Sequence, residues 1–149
     1  MAEIWFYHLE RQSLDQVLPK LLERTLDRGW RAVVQAGSKE QLEAIDNLLW
    51  TYRDESFLPH GMKRDGHLQE QPIFLAEDDD NPNGSNIRFL VEGAALVDAA
   101  PYERLVYVFD GADEVALSAA RVAWKQAKAT QHEATYWRQN EAGRWDKQQ

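Results

Sequence analysis

The 149-residue chain contains no cysteine. That excludes a disulfide framework, a thiolate zinc site and a cysteine nucleophile. It also lacks any apolar run approaching the ~18 residues that read as a membrane span. The opening Met1-Ala2-Glu3-Ile4 has neither the basic region nor the apolar stretch of a secretory signal, so a cytoplasmic protein with no membrane partner is expected. Nor is there an excess of positive charge. With 25 Asp plus Glu against 17 Lys plus Arg, the net charge is −8. Such a surface repels phosphate at long range and disfavours generic nucleic-acid binding. Any cationic site must therefore be local.

The length fits one domain with one core, spanning 1–149. The 6 Trp, 5 Tyr and 5 Phe are many for so polar a chain, and rings of this kind are often used where proteins meet.

Glu3 to Leu9 places Ile4, Phe6 and His8 on one face and Trp5, Tyr7 and Leu9 on the other, the pattern of an interior strand covered on both sides. Ser13 then serves as N-cap for a helix from Leu14 to about Asp27, ended by Gly29. Trp30 to Ala36 reads as a second buried strand, Gly37-Ser38 as a turn and cap, and Lys39 to about Tyr52 as a second helix. Arg53 to Gln71 has no periodicity and reads as an irregular connection. Pro72 to Ala76 and Ile87 to Val91 are strand-like and flank the acidic stretch Glu77 to Ser85, which is expected to blunt neighbouring strand edges. Leu105 to Asp110 is a further strand, Asp113 introduces a helix from about Glu114 to Ala129, and His132 to Gln139 is a strand followed by a turn at Gly143. Alternating strands and helices imply an α/β layer fold with right-handed crossovers.

Catalytic chemistry finds little support. Gly37-Ser38-Lys39 and Gly111-Ala112-Asp113 lack the spacing of a phosphate-cradling loop and read as ordinary strand-to-helix turns. His60 and His67 with Glu55 and Asp65 do not have the spacing of a metal centre. Asp79, Asn81, Asn83 and Gly84 imitate the start of a calcium loop, but its twelfth place is Leu90 where a bidentate Glu is needed. Neither metal nor cofactor is expected. A rival reading, a small α/β nucleotide- or nucleic-acid-processing enzyme, would need His8, Asp110 and Asp113 to converge, although Asp113 equally suits a helix N-cap. Direct stacking of single-stranded DNA on the aromatics conflicts with the acidic balance.

Two surface features remain. Arg121, Trp124, Lys125 and Lys128 fall at i, i+3, i+4 and i+7 of the last helix, while Val115, Ala119, Val122 and Ala123 are expected to face the core. The stripe suits a short anionic peptide, whose carboxylates the cations would hold while the ring receives an apolar side chain. Equally, the cations could complement the helix dipole and Trp124 could cap the core. The second feature is Trp50 followed by Glu55-Ser56-Phe57-Leu58-Pro59-His60, where an apolar cluster in a charged segment must fold back or meet a partner.

The early Phe6-Tyr7, Leu49-Trp50 with the Glu55-to-His60 block, and Arg121-Val122-Ala123-Trp124-Lys125, in this order and separation, resemble the chi subunit of bacterial DNA polymerase III holoenzyme over nearly the whole chain. The resemblance implies a Rossmann-like α/β sheet with helices on both faces, no nucleotide-binding loop and no catalytic site of its own. It further implies a tether between the clamp loader and the acidic C-terminal tail of single-stranded-DNA-binding protein, so that DNA is met only indirectly. Carried over by position, Arg121, Trp124 and Lys125 would form the tail site, with Lys128 added by helical spacing. Some relatives are basic one turn before Arg121, where this chain has Leu117. Trp50, Phe57 and Leu58 would meet the psi subunit, another clamp-loader subunit or an accessory helicase.

Overall fold

The computed structural model describes residues 2–10, 12–51, 58–140, 142 and 144–148. Strand β1 (Glu3–Leu9) leads into helix α1 (Leu14–Asp27). Ser13 takes the N-cap position in extended backbone, and its N–H donates to Gln16 Oε1 at 2.9 Å. Gly29, with φ +80°, turns the chain out of the helix in the left-handed conformation that glycine adopts without penalty. Then come β2 (Ala32–Gln35), α2 (Lys39–Thr51), β3 (His60–Met62), β4 (Ile73–Ala76), β5 (Ile87–Leu90), β6 (Arg104–Asp110), α3 (Glu114–Lys128), β7 (Glu133–Gln139) and β8 (Trp145–Lys147).

The strands form one eight-stranded sheet in the order β3-β4-β2-β5-β6-β1-β7-β8, parallel except for β8. Alternation along β1 divides the core. Tyr7 and Leu9 pack with Val17, Leu18 and Leu22 of α1 and Leu42, Ile45 and Leu49 of α2. Ile4 and Phe6 pack on the opposite face with Ala120, Ala123 and Ala127 of α3. The helices thus cover both faces of an α/β sheet.

Two expectations about the connections are corrected. The segment after α2 is not wholly irregular, because His60–Met62 joins the sheet edge beside β4 and is followed by short 3-10 turns at Lys63–Asp65 and Leu68–Glu70. Three residues bounded by charged sequence carry too little periodicity to be read as a strand. The acidic loop does not blunt strand edges either, since β4 and β5 are interior strands lying on opposite sides of β2. The edges are β3 and β8, three residues each, and short edges limit pairing with other chains.

Because β4 and β5 are parallel, the chain between them must return along the sheet without a helix to satisfy its carbonyls. Arg88, fully buried at 0% exposure in the middle of β5, supplies the donors. Its guanidinium donates to the Asp80 carbonyl at 2.8 Å and to the Asp78 carbonyl. It also donates to Gln35 Oε1 at 2.7 and 3.0 Å and to the Tyr102 hydroxyl at 2.9 Å. Asn83 pins the far end of the loop, donating to the Ala32 and Gln71 carbonyls at 3.2 and 2.7 Å.

Most of the tryptophans are accounted for by packing. Arg104 lies 3.7 Å over Trp5 and 5.4 Å from the Trp30 ring, which Arg28 covers at 4.0 Å. Trp5 continues to Trp137 at 5.2 Å, and Tyr7 stacks on Trp145 at 4.3 Å. This belt against the α1 face uses Trp5, Trp30, Trp137 and Trp145, leaving Trp50 and Trp124 as the rings nearest to a surface role.

Candidate functional site

The rotation of α3 differs from the expected one. Its core stripe is Ala120, Ala123 and Ala127 with half-buried Ala116, Leu117 and Trp124, whereas Val115 is 80% and Val122 58% exposed and Ala119 is exposed. Of the four residues expected in the core, only Ala123 is there. The physical reason is spacing: small alanines let the helix approach the sheet closely, and the bulk is supplied by rings from β1, β6 and β7.

This rotation brings Arg121, Trp124 and Lys125 together on one wall of a cavity of about 720 Å³. The Trp124 ring is half-buried, meeting Phe6 edge-on at 5.2 Å and Tyr136 at 5.7 Å and 90°. It therefore both caps the core and lines the cavity, so the two uses left open by its sequence position coexist. Arg121 and Lys125 are exposed, and among the described residues neither has an ion-pair partner. Lys128 does not line the cavity; its Nζ sits 5.5 Å from the Trp124 ring centroid, a cation over an aromatic face.

The opposite wall comes from the sheet and was missed from sequence. Phe6 pairs with Tyr136 and His8 with Arg138 across β1 and β7, so His8, Tyr136 and Arg138 project toward α3. Strand alternation could have placed Tyr136 and Arg138 on one face, but which strand neighbours which is not written locally. Arg138 pairs with Glu10, which also lies 3.4 Å from His8 Nε2. Leu117, one turn before Arg121, lines the cavity, and Arg138 brings a further cation to it from another element. His8 Nδ1 and the Tyr136 hydroxyl are hydrogen-bonded at 2.6 Å. Burial, then the Arg138 charge, hold the His8 imidazole below its usual pKa, against opposing pulls from Glu10 and Asp110. Burial raises Tyr136, with Arg138 and Arg121 pulling it down. A neutral His8 leaves Arg121, Lys125 and the Arg138–Glu10 pair as the cavity's charges, a net positive site on a negative globule.

The residues singled out for the enzymatic and metal readings have structural partners. Asp113 caps α3, accepting from the Val115 and Ala116 N–H groups at 3.0 and 3.3 Å. Asp110 accepts from the Ala112 N–H at 2.9 Å. Both His60 ring nitrogens have partners, the Leu58 carbonyl at 2.6 Å and Asp46 at 3.1 Å. Asn81 and Asn83 use their side-chain oxygens on Ser85.

Of the second surface feature, Trp50 is 54% exposed and its ring lies 4.8 Å from that of His60. Leu58 folds back into the α1/α2 core at 3% exposure, so its side chain is not offered to a partner. Phe57 lies outside the described residues.

Among the described residues no helix is long and apolar enough to cross a membrane. A sequence profile of the family described as DNA polymerase III chi subunit, HolC, matches residues 1–135. A protein of Rickettsia prowazekii (strain Madrid E), called probable DNA polymerase III subunit chi, is 24% identical over 109 residues, a stretch covering 73% of this chain and 66% of that relative. With strands β1 to β6, helices α1 to α3 and the cavity residues Arg121, Trp124 and Lys125 inside the matched region, and Tyr136 and Arg138 just beyond it, the chain belongs to the DNA polymerase III chi subunit family.

Proposed function

We propose that this chain is a non-catalytic replication accessory subunit, which ties the polymerase III clamp loader to the acidic C-terminal tail of single-stranded-DNA-binding protein. The observation that carries the reading is the convergence of Arg121 and Lys125 from α3 with Arg138 from β7 around a half-buried indole, on a chain of net charge −8. Tail carboxylates pair with Arg121 and Lys125, which among the described residues have no carboxylate partner to displace. A terminal Phe side chain packs on Trp124 and Leu117. Lys128, with its Nζ 5.5 Å from the Trp124 ring centroid, adds a further cation near the tail. Each contact is weak, but many tails on one coated DNA strand raise the effective concentration, so avidity exceeds single-tail affinity. The chain then meets DNA only through its partner.

On the far side of the sheet, exposed Trp50 belongs to the surface for psi, another clamp-loader subunit or an accessory helicase, a role that Phe57 shares by its place in the sequence, while Leu58 is buried. The two surfaces belong to different layers, Trp50 to the α1/α2 side and Trp124 to the α3 side. A tether requires this separation, because both partners must be held at once.

Calorimetric titration of a peptide with the acidic, Phe-ended tail is the test. Arg121→Ala and Lys125→Glu should each weaken binding by about tenfold or more, with thermal unfolding unchanged, and raised salt should weaken the wild type. Equal affinity in all three proteins would refute the assignment.

A further inference from the structure

Helix α3 has a second wall. Opposite the basic cavity, between the N-terminal turns of α1 and α3, lies a crevice of about 800 Å³ at the carboxyl ends of β1, β5 and β6. Among the described residues its charged lining is Glu10, Asp15, Glu92, Asp110 and Asp113, with no Lys or Arg. In a doubly wound sheet this is where ligands bind, since successive crossovers leave a gap there: the chain departs from β1 to one face and from β6 to the other. Glu10 is shared with the basic cavity, where it pairs with Arg138, and the other four carboxylates disfavour the anionic ligands usual at such a gap.

Glu92 is held there under backbone constraint. It has φ +51°, in the left-handed region that a non-glycine residue enters at a cost, and is followed by Gly93 at φ +84°. Gly37 packs against this turn so closely that a Cβ on it would lie 2.5 Å from the Glu92 carbonyl oxygen. Partial desolvation and the charges of Asp15 and Asp110 raise the pKa of the Glu92 carboxyl. The fold thus maintains mutual repulsion that a bound cation would relieve. A single metal ion does not fit that role. Among the described residues only Asp78, Asp79 and Asp80, in another loop, bring three carboxylates close enough to share one. The crevice charges are spread instead, beside the exposed apolar strip of Val115 and Ala119, which continues to Val122 on the next turn.

We propose that this crevice docks a basic amphipathic segment of a partner protein, its Lys or Arg side chains meeting Asp15, Glu92 and Asp110 and its aliphatic side chains covering Val115 and Ala119. Helix α3 then separates two sites of opposite charge preference, an acidic tail on the Trp124 side and a basic segment on the Val115 side.

The probe is a fluorescein-labelled peptide of alternating Lys-Lys-Leu-Leu repeats, titrated with the full chain and read by anisotropy. A Glu-Glu-Leu-Leu peptide serves as its counterpart. Asp15→Asn/Glu92→Gln should weaken binding of the basic peptide by about tenfold or more, and Val115→Ser should weaken it severalfold. Asp78→Asn/Asp79→Asn removes the same charge elsewhere and should leave binding within about twofold. Removing repelling carboxylates does not threaten folding, which circular dichroism verifies. Arg121→Ala should leave basic-peptide binding intact, separating this site from the tail cavity. Equal weakening by the two double variants would show attraction to net charge only and overturn the proposal. Absence of binding to the wild type would do the same. A concentration-dependent dimer dissolved by the peptide would assign the crevice to a second copy of the chain, again overturning it.

Discussion

Gln35→Leu should destabilise the fold more than Arg88→Met, although glutamine is the smaller and neutral member of the pair. Gln35 Oε1 is the one side-chain acceptor taking two hydrogen bonds from the Arg88 guanidinium, at 2.7 and 3.0 Å. Both residues are buried, Arg88 completely. Removing the acceptor leaves a desolvated cation short of its principal partner, a situation costing about 3–5 kcal/mol. Removing the arginine instead frees Gln35 Oε1, the Tyr102 hydroxyl and the Asp78 and Asp80 carbonyls. The two aspartates lie in an exposed loop where water can replace the guanidinium. Only Gln35 and Tyr102 are left unsatisfied in the interior, at about 1–3 kcal/mol each, partly offset because no charge is now desolvated. A net loss of about 2–3 kcal/mol follows for Arg88→Met. The double variant Arg88→Met/Gln35→Leu should be more stable than Gln35→Leu alone, because the buried charge and its orphaned acceptor disappear together. Urea unfolding followed by tryptophan fluorescence measures all four proteins. A double variant at least as unstable as the sum of the singles, or a Gln35→Leu loss below about 1 kcal/mol, would refute the assignment of Arg88 as the donor that closes the helix-free crossover.

Two further outcomes test the sheet wall of the basic cavity. A Cβ at residue 111 would fall 1.9 Å from His8 Nε2, so Gly111→Ala should displace that ring from the Tyr136 hydroxyl and cost about 1–3 kcal/mol in urea unfolding; full native stability would contradict the packing. The lowered pKa of folded His8 means that between that value and the ordinary histidine pKa the unfolded chain binds more protons. His8 therefore contributes stability above about pH 6.5 that is lost as pH falls through this window, and His8→Gln should flatten the stability slope just below about pH 6.5. An unchanged slope would show that His8 is not held neutral by the fold.

Much of the chain's local structure is legible because it is written in nearest neighbours. The 3.6-residue spacing of Val17, Leu18, Leu21 and Leu22 and the alternation of β1 declare their elements directly. Sheet order is not local. Nothing near Ile87 reveals that β2 lies between β4 and β5, and so nothing revealed that Arg88 would be needed in the interior. The stripe Arg121, Trp124, Lys125 is readable because it lies on one helix, whereas Tyr136 and Arg138 join it only through the pairing of β7 with β1. The rotation of α3 departs from its hydrophobic pattern for a related reason. Val115 and Val122 outrank alanine in hydrophobicity, yet the rings of Phe6, Tyr107 and Phe109 already fill the space under the helix and leave room only for small residues.

The most direct test of a tail-binding cavity follows the indole N–H signals of the full chain by NMR during titration with the acidic, Phe-ended tail peptide. The Trp124 Nε1–H signal should move progressively. The Trp137 signal, whose Nε1–H already donates to Thr135 Oγ1 at 2.9 Å, should stay in place, as should those of Trp5 and Trp30. Deleting the terminal Phe from the peptide should remove most of the Trp124 shift. A stationary Trp124 signal, or the largest shift at Trp50 on the opposite layer, would contradict the central claim that the cations around Trp124 receive the tail.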